Sequence, residues 1–174
     1  MKESSPNLRI LGIDPALRCT GYGLLDTFGS SLKAIDCGVI RTPAKRPVSD
    51  CLRRLAGGVA ELIKSYSPDV VAIEGGFYSK NAKTAMVLGC ARGVVIAGAA
   101  TAGLEVYEYA PRRVKQAVCG YGNADKEQLS AFLCQLTGLN PDQLMSDATD
   151  ALGVAFCHNA MFRTNQGLFL PKPI

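Results

Sequence analysis

The sequence predicts an α/β domain in which helices flank a five-stranded mixed sheet. Two short and almost wholly apolar stretches, residues 8–13 and 70–73, have the composition of strands buried on both faces. After residue 48, strand-like stretches alternate with stretches whose apolar residues recur every three or four positions. This alternation is typical of parallel strands joined by helical crossovers. A chain of 174 residues is long enough to form one domain with its own core.

The N-terminal part predicts an antiparallel meander of three strands. The strands are expected at residues 8–14, 20–26 and 32–42, with turn-forming residues at 27–31. A short basic linker, residues 43–47, leads to a helix that Ser49 or Asp50 is expected to cap and that Ser67-Pro68 ends.

The rest of the chain predicts two further strands and four helices. The fourth strand, residues 70–74, and the fifth, residues 105–109, enclose a long helix of small residues that runs to about residue 102. Pro111 opens a short helix, a further helix spans residues 125–136, and Ser146 is expected to cap a last helix reaching about residue 163. The domain is therefore assigned to residues 8–163, and short tails, loose at the C-terminal end, to 1–7 and 164–174.

Two carboxylates end the apolar strands. Asp14 follows the first strand and Glu74 closes the fourth. A helical connection makes these strands parallel, and a right-handed crossover that returns beside the first strand brings both acids to one sheet edge, ~4.8 Å apart. A single Asp before Pro15 is also typical of a turn or a helix cap, so a functional role depends on further acids nearby.

Asp147 and Asp150 supply those acids. A spacing of three places both on one helix face. Acids at a helix N-terminus also interact favourably with the helix dipole and often have no other role. The apolar remainder of this helix, however, predicts packing on the sheet, which brings its acidic end near Asp14 and Glu74.

Four adjacent carboxylates repel one another unless cations neutralise them. Oxygen ligands without His or Cys favour Mg²⁺, with Mn²⁺ as a substitute. Two such ions per site are the usual apparatus for hydrolysing a phosphodiester. His158 lies ~16 Å along the helix from Asp147, too far to be a ligand, and is expected to be structural or partly exposed.

The bulk composition narrows the function classes. The net charge of +4 does not by itself indicate nucleic acid. Seven scattered cysteines with one histidine argue against a disulfide framework or a zinc site, and they favour a reducing, cytoplasmic compartment. The first seven residues lack the apolar segment of a signal peptide. Residues 84–103 resemble a membrane span, but Arg92 in their middle favours a buried helix and a protein without membrane contact.

These residues, taken together, resemble the bacterial RuvC family of Holliday-junction resolvases on the ribonuclease H-like fold. The likeness covers residues 8 to 163, and its pieces are specific through their order and spacing. It is carried by Gly12-Ile13-Asp14-Pro15, Thr20-Gly21-Tyr22-Gly23, Ala72-Ile73-Glu74, Phe77, Lys80-Asn81-Ala82, Gly89, Ala91-Arg92-Gly93-Val94, Val114-Lys115-Gln116, Gly120-Tyr121-Gly122, Lys126 and Asp147-Ala148-Thr149-Asp150-Ala151.

The resemblance implies a structure-selective endonuclease that makes paired metal-dependent nicks in two strands of like polarity at a four-way junction. Asp14, Glu74, Asp147 and Asp150 match the catalytic metal-binding acids. Further implications are a homodimer and a partner branch-migration helicase complex (RuvA/RuvB). Close packing of the helix holding Gly89, Gly93 and Gly98 would suit such a dimer, although burial within one subunit would give the same pattern.

A second set of residues is assigned to DNA contact. Lys115 and Lys126 match basic residues near the family's active site, and Phe77 matches an aromatic that engages bases, although it could equally pack over a neighbouring loop. The other basic side chains are either phosphate contacts or ordinary solvated charges. They are Lys80, Lys83, Arg112 and Arg113.

Two departures from the family pattern bear on local structure. Ala16 stands where Gly is usual after Asp-Pro, so that turn must avoid a positive φ. Gly75 replaces a polar residue after the strand-four acid and is expected to loosen the following loop.

Two other functions remain as alternatives. One is a catalytically inactive junction-binding relative that retains the acids. The other is an actin-like phosphotransferase, whose first strand also reads Gly-Ile-Asp. That architecture needs two such domains around a nucleotide, and 174 residues are too few for it.

Overall fold

The structure is a computed structural model that describes residues 7–75, 81–140, 144–164 and 170–174. Five strands and five helices are defined within these residues. In chain order they are β1 (Leu8–Asp14), β2 (Cys19–Phe28), β3 (Ser31–Arg41), α1 (Val48–Tyr66), β4 (Val70–Glu74), α2 (Ala82–Thr101), β5 (Glu105–Tyr109), α3 (Pro111–Cys119), α4 (Lys126–Thr137) and α5 (Ser146–Arg163).

The strands form one mixed sheet in the order β3-β2-β1-β4-β5. The pairs β1/β2 and β2/β3 are antiparallel, whereas β1/β4 and β4/β5 are parallel. Ile13 pairs with Ile73, so the next residue of each strand, Asp14 and Glu74, lies at the same sheet edge. The predicted five-stranded mixed sheet flanked by helices is confirmed.

Helices cover both faces of the sheet, and side chains alternate between the two cores. Leu11 and Ile13 of β1 join the core formed with α1 and α2. Ile10 belongs to the opposite core, which includes residues of α3, α4 and α5. Asp14 has the same parity as Ile10, and Glu74 has the same parity as Ala72 of that core. Both acids therefore point to the face that α5 covers.

Helix α5 lies directly on β1 and β2 because three glycines leave room for its backbone. A Cβ atom added to Gly12 would be 2.1 Å from the carbonyl oxygen of Ala151, and one added to Gly21 would be 1.9 Å from that of Asp147. At Gly23 it would be 2.6 Å from Cγ of Leu152. Only glycine allows backbones to approach this closely.

The helix starts differ from the sequence-based prediction. Helix α1 begins after Pro47, and neither Ser49 nor Asp50 caps it; both lie in its first turn. Helix α5 begins after Met145, so Ser146 is its first helical residue and not its cap. The residues at the cap positions, Pro47 and Met145, have extended backbone and make no side-chain hydrogen bond to the helix.

The C-terminal residues 170–174 are not loose, contrary to the prediction. The Ile174 N–H donates to the carbonyl oxygen of Val106 at 2.9 Å, and Leu170 packs on the α5-side core. Strand β5 is the sheet edge, whose free backbone groups attract a further segment.

Helix α2 buries only a narrow stripe, although the sequence predicted a buried helix. Ala91, Val95 and Ala99 pack in the core with α1, while Met86 is 73% exposed. Within the described residues, α2 alone is long and apolar enough to cross a membrane by length and composition. Arg92, in its middle, forms an ion pair with Glu108 of β5.

The seating of α5 gives a stability prediction. We expect Gly21→Ala to lower the free energy of unfolding by ~1–3 kcal/mol or more, because its Cβ meets backbone rather than a movable side chain. Gly57→Ala is the matched control: Gly57 lies inside α1 with open space around it, so alanine should stabilise the helix by ~0.5–1 kcal/mol. Urea unfolding measures both, and equal effects would contradict the proposed contact.

Candidate active site

The carboxyl groups of Asp14 and Glu74 meet at the ends of β1 and β4 and share a hydrogen bond. The predicted side-by-side placement of these acids is what the structure shows.

Helix α5 brings the other two acids to this pair. Asp150 and Asp147 lie close enough to Asp14 for their negative charge to add to the rise in its pKa that burial causes. The backbone of Asp147 rests on Gly21, and Gly21 pairs with Asp14 across β1 and β2. The four predicted acids therefore form one cluster, here called the acid cluster.

Two neighbours hold the α5 acids in place. The Cys19 thiol donates to Oδ2 of Asp147 at 2.9 Å. Lys126 Nζ donates to Oδ2 of Asp150 at 3.0 Å and contacts Oγ of Ser146 at 3.2 Å. Lys126 is the first residue of α4, and a capping box between Asp125 and Gln128 fixes that helix start.

Burial and repulsion raise the pKa values of the acid pair. Burial is the largest cause for both groups, followed for Asp14 by the charges of Asp150 and Asp147, and for Glu74 by those of Asp14 and Asp150. The pKa of Asp14 rises to about 6 and that of Glu74 to about 8. Lys126 opposes both shifts. Near neutral pH the pair therefore retains a proton that a cation would displace.

The donor set fits a hard divalent cation, although the four side chains do not converge on a single point. The cluster consists of carboxyl groups, whose hard oxygen ligands suit Mg²⁺ or Mn²⁺ and whose mutual repulsion a cation would relieve. No group of three or more His, Cys, Asp or Glu side chains in the described part of the chain forms a ready metal site. Asp147 and Asp150 are instead turned toward Cys19 and Lys126.

The predicted DNA-contact residues differ in whether they contact the acid cluster. Lys126 reaches the acid cluster. Lys115 is half-buried on α3 near Cys119. Burial raises the pKa of Cys119, and the charge of Lys115 partly offsets that rise. No described contact joins Lys115 to the acids. Arg112 is exposed, with its stem over Gly122, and Lys83 is exposed in the first turn of α2. Phe77 and Lys80 lie outside the described residues.

His158 is remote from the acids, as predicted, but fully buried rather than partly exposed. Its Nδ1 and the hydroxyl of Tyr109 are 2.8 Å apart, and its ring lies 4.8 Å from that of Tyr107. Burial lowers the pKa of His158 to about 4, so the ring is neutral at physiological pH.

The two departures from the family pattern have different outcomes. Ala16 avoids a positive φ, as expected; the Thr20 side chain contacts its N–H at 3.1 Å and donates to its carbonyl oxygen at 2.5 Å. Gly75 does not loosen the chain where it is described. The Gly75 N–H donates to the carbonyl oxygen of Tyr109 at 2.9 Å, and a Cβ there would lie 2.0 Å from Oε1 of Glu108.

Sequence reasoning missed the residues that support the acids. The thiol of Cys19 had no pattern that marked it. The glycines at 12, 21 and 23 did carry a signal, because glycine inside a strand indicates close approach of another backbone.

Comparison with known proteins identifies the family. The family model described as crossover junction endodeoxyribonuclease RuvC matches residues 10–158. The chain belongs to the RuvC family. All four members of the acid cluster lie inside the matched range.

Individual RuvC proteins match over most of their length. The chain is 42% identical over 154 residues to the crossover junction endodeoxyribonuclease RuvC of Natranaerobius thermophilus, covering 88% of this chain and 96% of that protein. It is 46% identical over 151 residues to that of Trichlorobacter lovleyi, covering 87% and 84%.

Solved RuvC structures share the fold closely. The structure described as T. thermophilus RuvC in complex with Holliday junction substrate superimposes with a TM-score of 0.87 at 30% identity, covering 97% of this chain and all of that one. The yeast mitochondrial Holliday junction resolvase Ydc2, at 13% identity and a TM-score of 0.66, shares the fold. The ribonuclease H-like architecture inferred from the resemblance is confirmed.

The raised carboxyl pKa values give a pH prediction for the metal-free protein. A folded-state pKa above the unfolded value means that stability is present at low pH and is lost as pH rises toward the folded pKa. We expect the free energy of unfolding in a chelator to fall between about pH 4 and pH 8, and Glu74→Gln to reduce this fall. Urea unfolding across this range measures it.

Glu61→Gln, on the exposed face of α1, is the control and should leave the pH profile unchanged. If the free energy of unfolding of Glu74→Gln changes with pH in parallel with that of the wild type, Asp14 and Glu74 do not repel each other in the folded protein.

Proposed function

We propose that this chain resolves Holliday junctions by cutting two DNA strands of like polarity symmetrically, in recombination and repair. The observation that carries the proposal is the acid cluster at one sheet edge, in a member of the RuvC family. The T. thermophilus relative that binds a Holliday junction covers 97% of this chain.

Two Mg²⁺ ions per site, or Mn²⁺ in their place, are the proposed cofactors. Asp14, Glu74, Asp147 and Asp150 would hold them. When bound, such ions supply an activated water and neutralise charge on the leaving oxygen of a phosphodiester. Their arrival would displace the proton shared by Asp14 and Glu74 and draw Asp150 from Lys126.

Lys126 is the cation best placed to assist. Its ammonium group lies 3.0 Å from Asp150 and lowers the pKa of both Asp14 and Glu74. It therefore partly offsets the repulsion among the acids and offers positive charge to an entering phosphate. Further DNA contacts are proposed for side chains assigned from the sequence, namely Phe77, Lys80, Lys83, Arg112 and Lys115.

A homodimer is proposed through the exposed face of α2. Gly89 and Gly93 are exposed, four residues apart, and nothing lies within 4 Å of where their Cβ atoms would be. A second copy of α2 can approach such a face closely, and two copies place two acid clusters on one junction. A branch-migration helicase complex (RuvA/RuvB) is the proposed partner of that assembly.

The alternatives have less support. An inactive relative has no need to gather four mutually repelling acids at one sheet edge, since that arrangement costs stability without cations. The actin-like phosphotransferase has no support from the family match, which is to crossover junction endodeoxyribonuclease RuvC over residues 10–158.

Replacing the acid at the end of β1 tests the catalytic proposal. We expect Asp14→Asn to reduce Mg²⁺-dependent nicking of a synthetic four-way junction by more than about 100-fold. Loss of a direct metal ligand should cost more than loss of an outer-shell partner, which costs up to about 100-fold. Junction binding should remain, because the amide has the same size and removes negative charge. Gel assays of cleavage and binding measure both.

Glu61→Gln serves as the control for the cleavage assay. An Asp14→Asn variant that cleaves junctions at the wild-type rate would contradict the assignment of the acid cluster. Wild-type protein that binds junctions without cutting them would favour the inactive relative.

Filling the exposed glycine face tests the dimer. We expect Gly93→Leu to shift sedimentation from dimer to monomer, because the side chain would hold two α2 helices apart. Gly57→Leu, at an open glycine of α1, should remain dimeric. A dimeric Gly93→Leu protein would place the interface elsewhere.

A further inference from the structure

A dense group of cationic side chains lies beside the acid cluster, on the β1–β2 loop, the end of β3, the connection from β3 to α1 and the start of α1. It comprises Arg18, Arg41, Lys45, Arg46, Arg53 and Arg54 and is called here the arginine surface. Asp50 is the only acid in residues 41–54. The six cations and Asp50 together have a formal net charge of +5, whereas the whole chain has +4, so the molecule's positive charge is concentrated here.

Two of the guanidinium groups fix the backbone of the connection. Arg18 donates to the carbonyl oxygens of Pro43, at 3.3 Å, and Arg46, at 3.1 Å. Arg54 Nε donates to the carbonyl oxygen of Arg41 at 2.6 Å. The segment is therefore held by side chains of the surface itself, and its charges have defined positions.

Two other arginines project into solvent. The side chains of Arg46 and Arg53 are 62% and 81% exposed, and both pair with Asp50, at 3.8 and 2.9 Å. They line an open depression of about 380 Å³ together with Arg54, Thr42 and Pro43. Most of their hydrogen-bond donors are free to contact a ligand from solvent.

The arginine surface is continuous with the acid cluster. Arg41 pairs with Cys19 across β3 and β2, and its Nη2 lies 3.8 Å from the Cys19 sulfur. The same sulfur donates to Asp147. A nucleic-acid strand bound at the acid cluster would therefore lie next to the arginine surface, with only the Cys19 side chain between Arg41 and Asp147.

We propose that the arginine surface binds the phosphate backbone of a duplex DNA arm that extends from the cleaved strand. This inference rests on the proposed function and extends it to a second contact region. Arginine suits the role because its planar guanidinium donates two parallel hydrogen bonds to a phosphate. Backbone contact of this kind fixes orientation without reading sequence.

Salt dependence of DNA binding tests the proposal. In an Asp14→Asn background, which prevents cutting, we expect Arg46→Ala/Arg53→Ala to reduce the slope of log affinity against log salt by about 2, and to weaken binding to a long-armed junction about 10- to 100-fold at 0.1 M salt. Junctions with the shortest arms that still bind should show a much smaller loss. Fluorescence anisotropy measures both.

Lys64→Ala is the matched control, because Lys64 is an exposed cation ~16 Å farther along α1 than Arg53. It should leave the slope and the affinity unchanged. Asp50→Asn provides a variant of opposite sign: removing the one acid should strengthen binding about three- to fivefold.

The outcomes separate this proposal from the proposed function. An unchanged slope in the double variant, or no gain in Asp50→Asn, overturns the arginine surface even if the wild-type protein cuts junctions. A reduced slope and a gain in Asp50→Asn support the surface, including in the case where the wild-type protein binds junctions but does not cut them.

Discussion

The close approach of α5 to the sheet is the constraint on which the site depends. Gly12 and Gly21 allow helix backbone to lie where any other residue would place a Cβ atom. The result is that Asp147 and Asp150 are brought against Asp14, and negative charge accumulates in a half-buried place. A helix held one side-chain layer farther away would relieve the repulsion and would also separate the acids that are proposed to bind metal. Concentrating these carboxylates lowers the free energy of unfolding, as expected of a site proposed to bind cations.

The metal-free arrangement also shows how the protein manages this repulsion. Asp14 and Glu74 share a hydrogen bond, the Cys19 thiol donates to Asp147, and Lys126 donates to Asp150. Each device supplies a hydrogen or a positive charge to a carboxylate that a divalent cation would otherwise neutralise. Binding of cations would release these partners, so occupancy of the site is linked to proton release and to rearrangement of the Cys19 and Lys126 side chains.

Much of this organisation could be predicted from the sequence, because it depends on local patterns. The apolar run that ends in Asp14 and the one that ends in Glu74 were sufficient to predict parallel neighbours, and the spacing of Asp147 and Asp150 predicted one helix face. Residues whose roles depend on contacts across the fold could not be found this way. Neither the Cys19 thiol nor the fit of Glu108 beside Gly75 has a local pattern. Helix starts were also wrong, since Ser146 looks like a cap but lies inside the helix.

The central claim is that the four acids bind divalent ions together. Crystals of the protein soaked in Mn²⁺, with data collected for the anomalous signal of manganese, test it most directly. Two peaks between Asp14, Glu74, Asp147 and Asp150, with Asp147 released from Cys19 and Asp150 from Lys126, are expected. Manganese that binds only elsewhere, with Asp147 still bonded to Cys19 and Asp150 still bonded to Lys126, would contradict it.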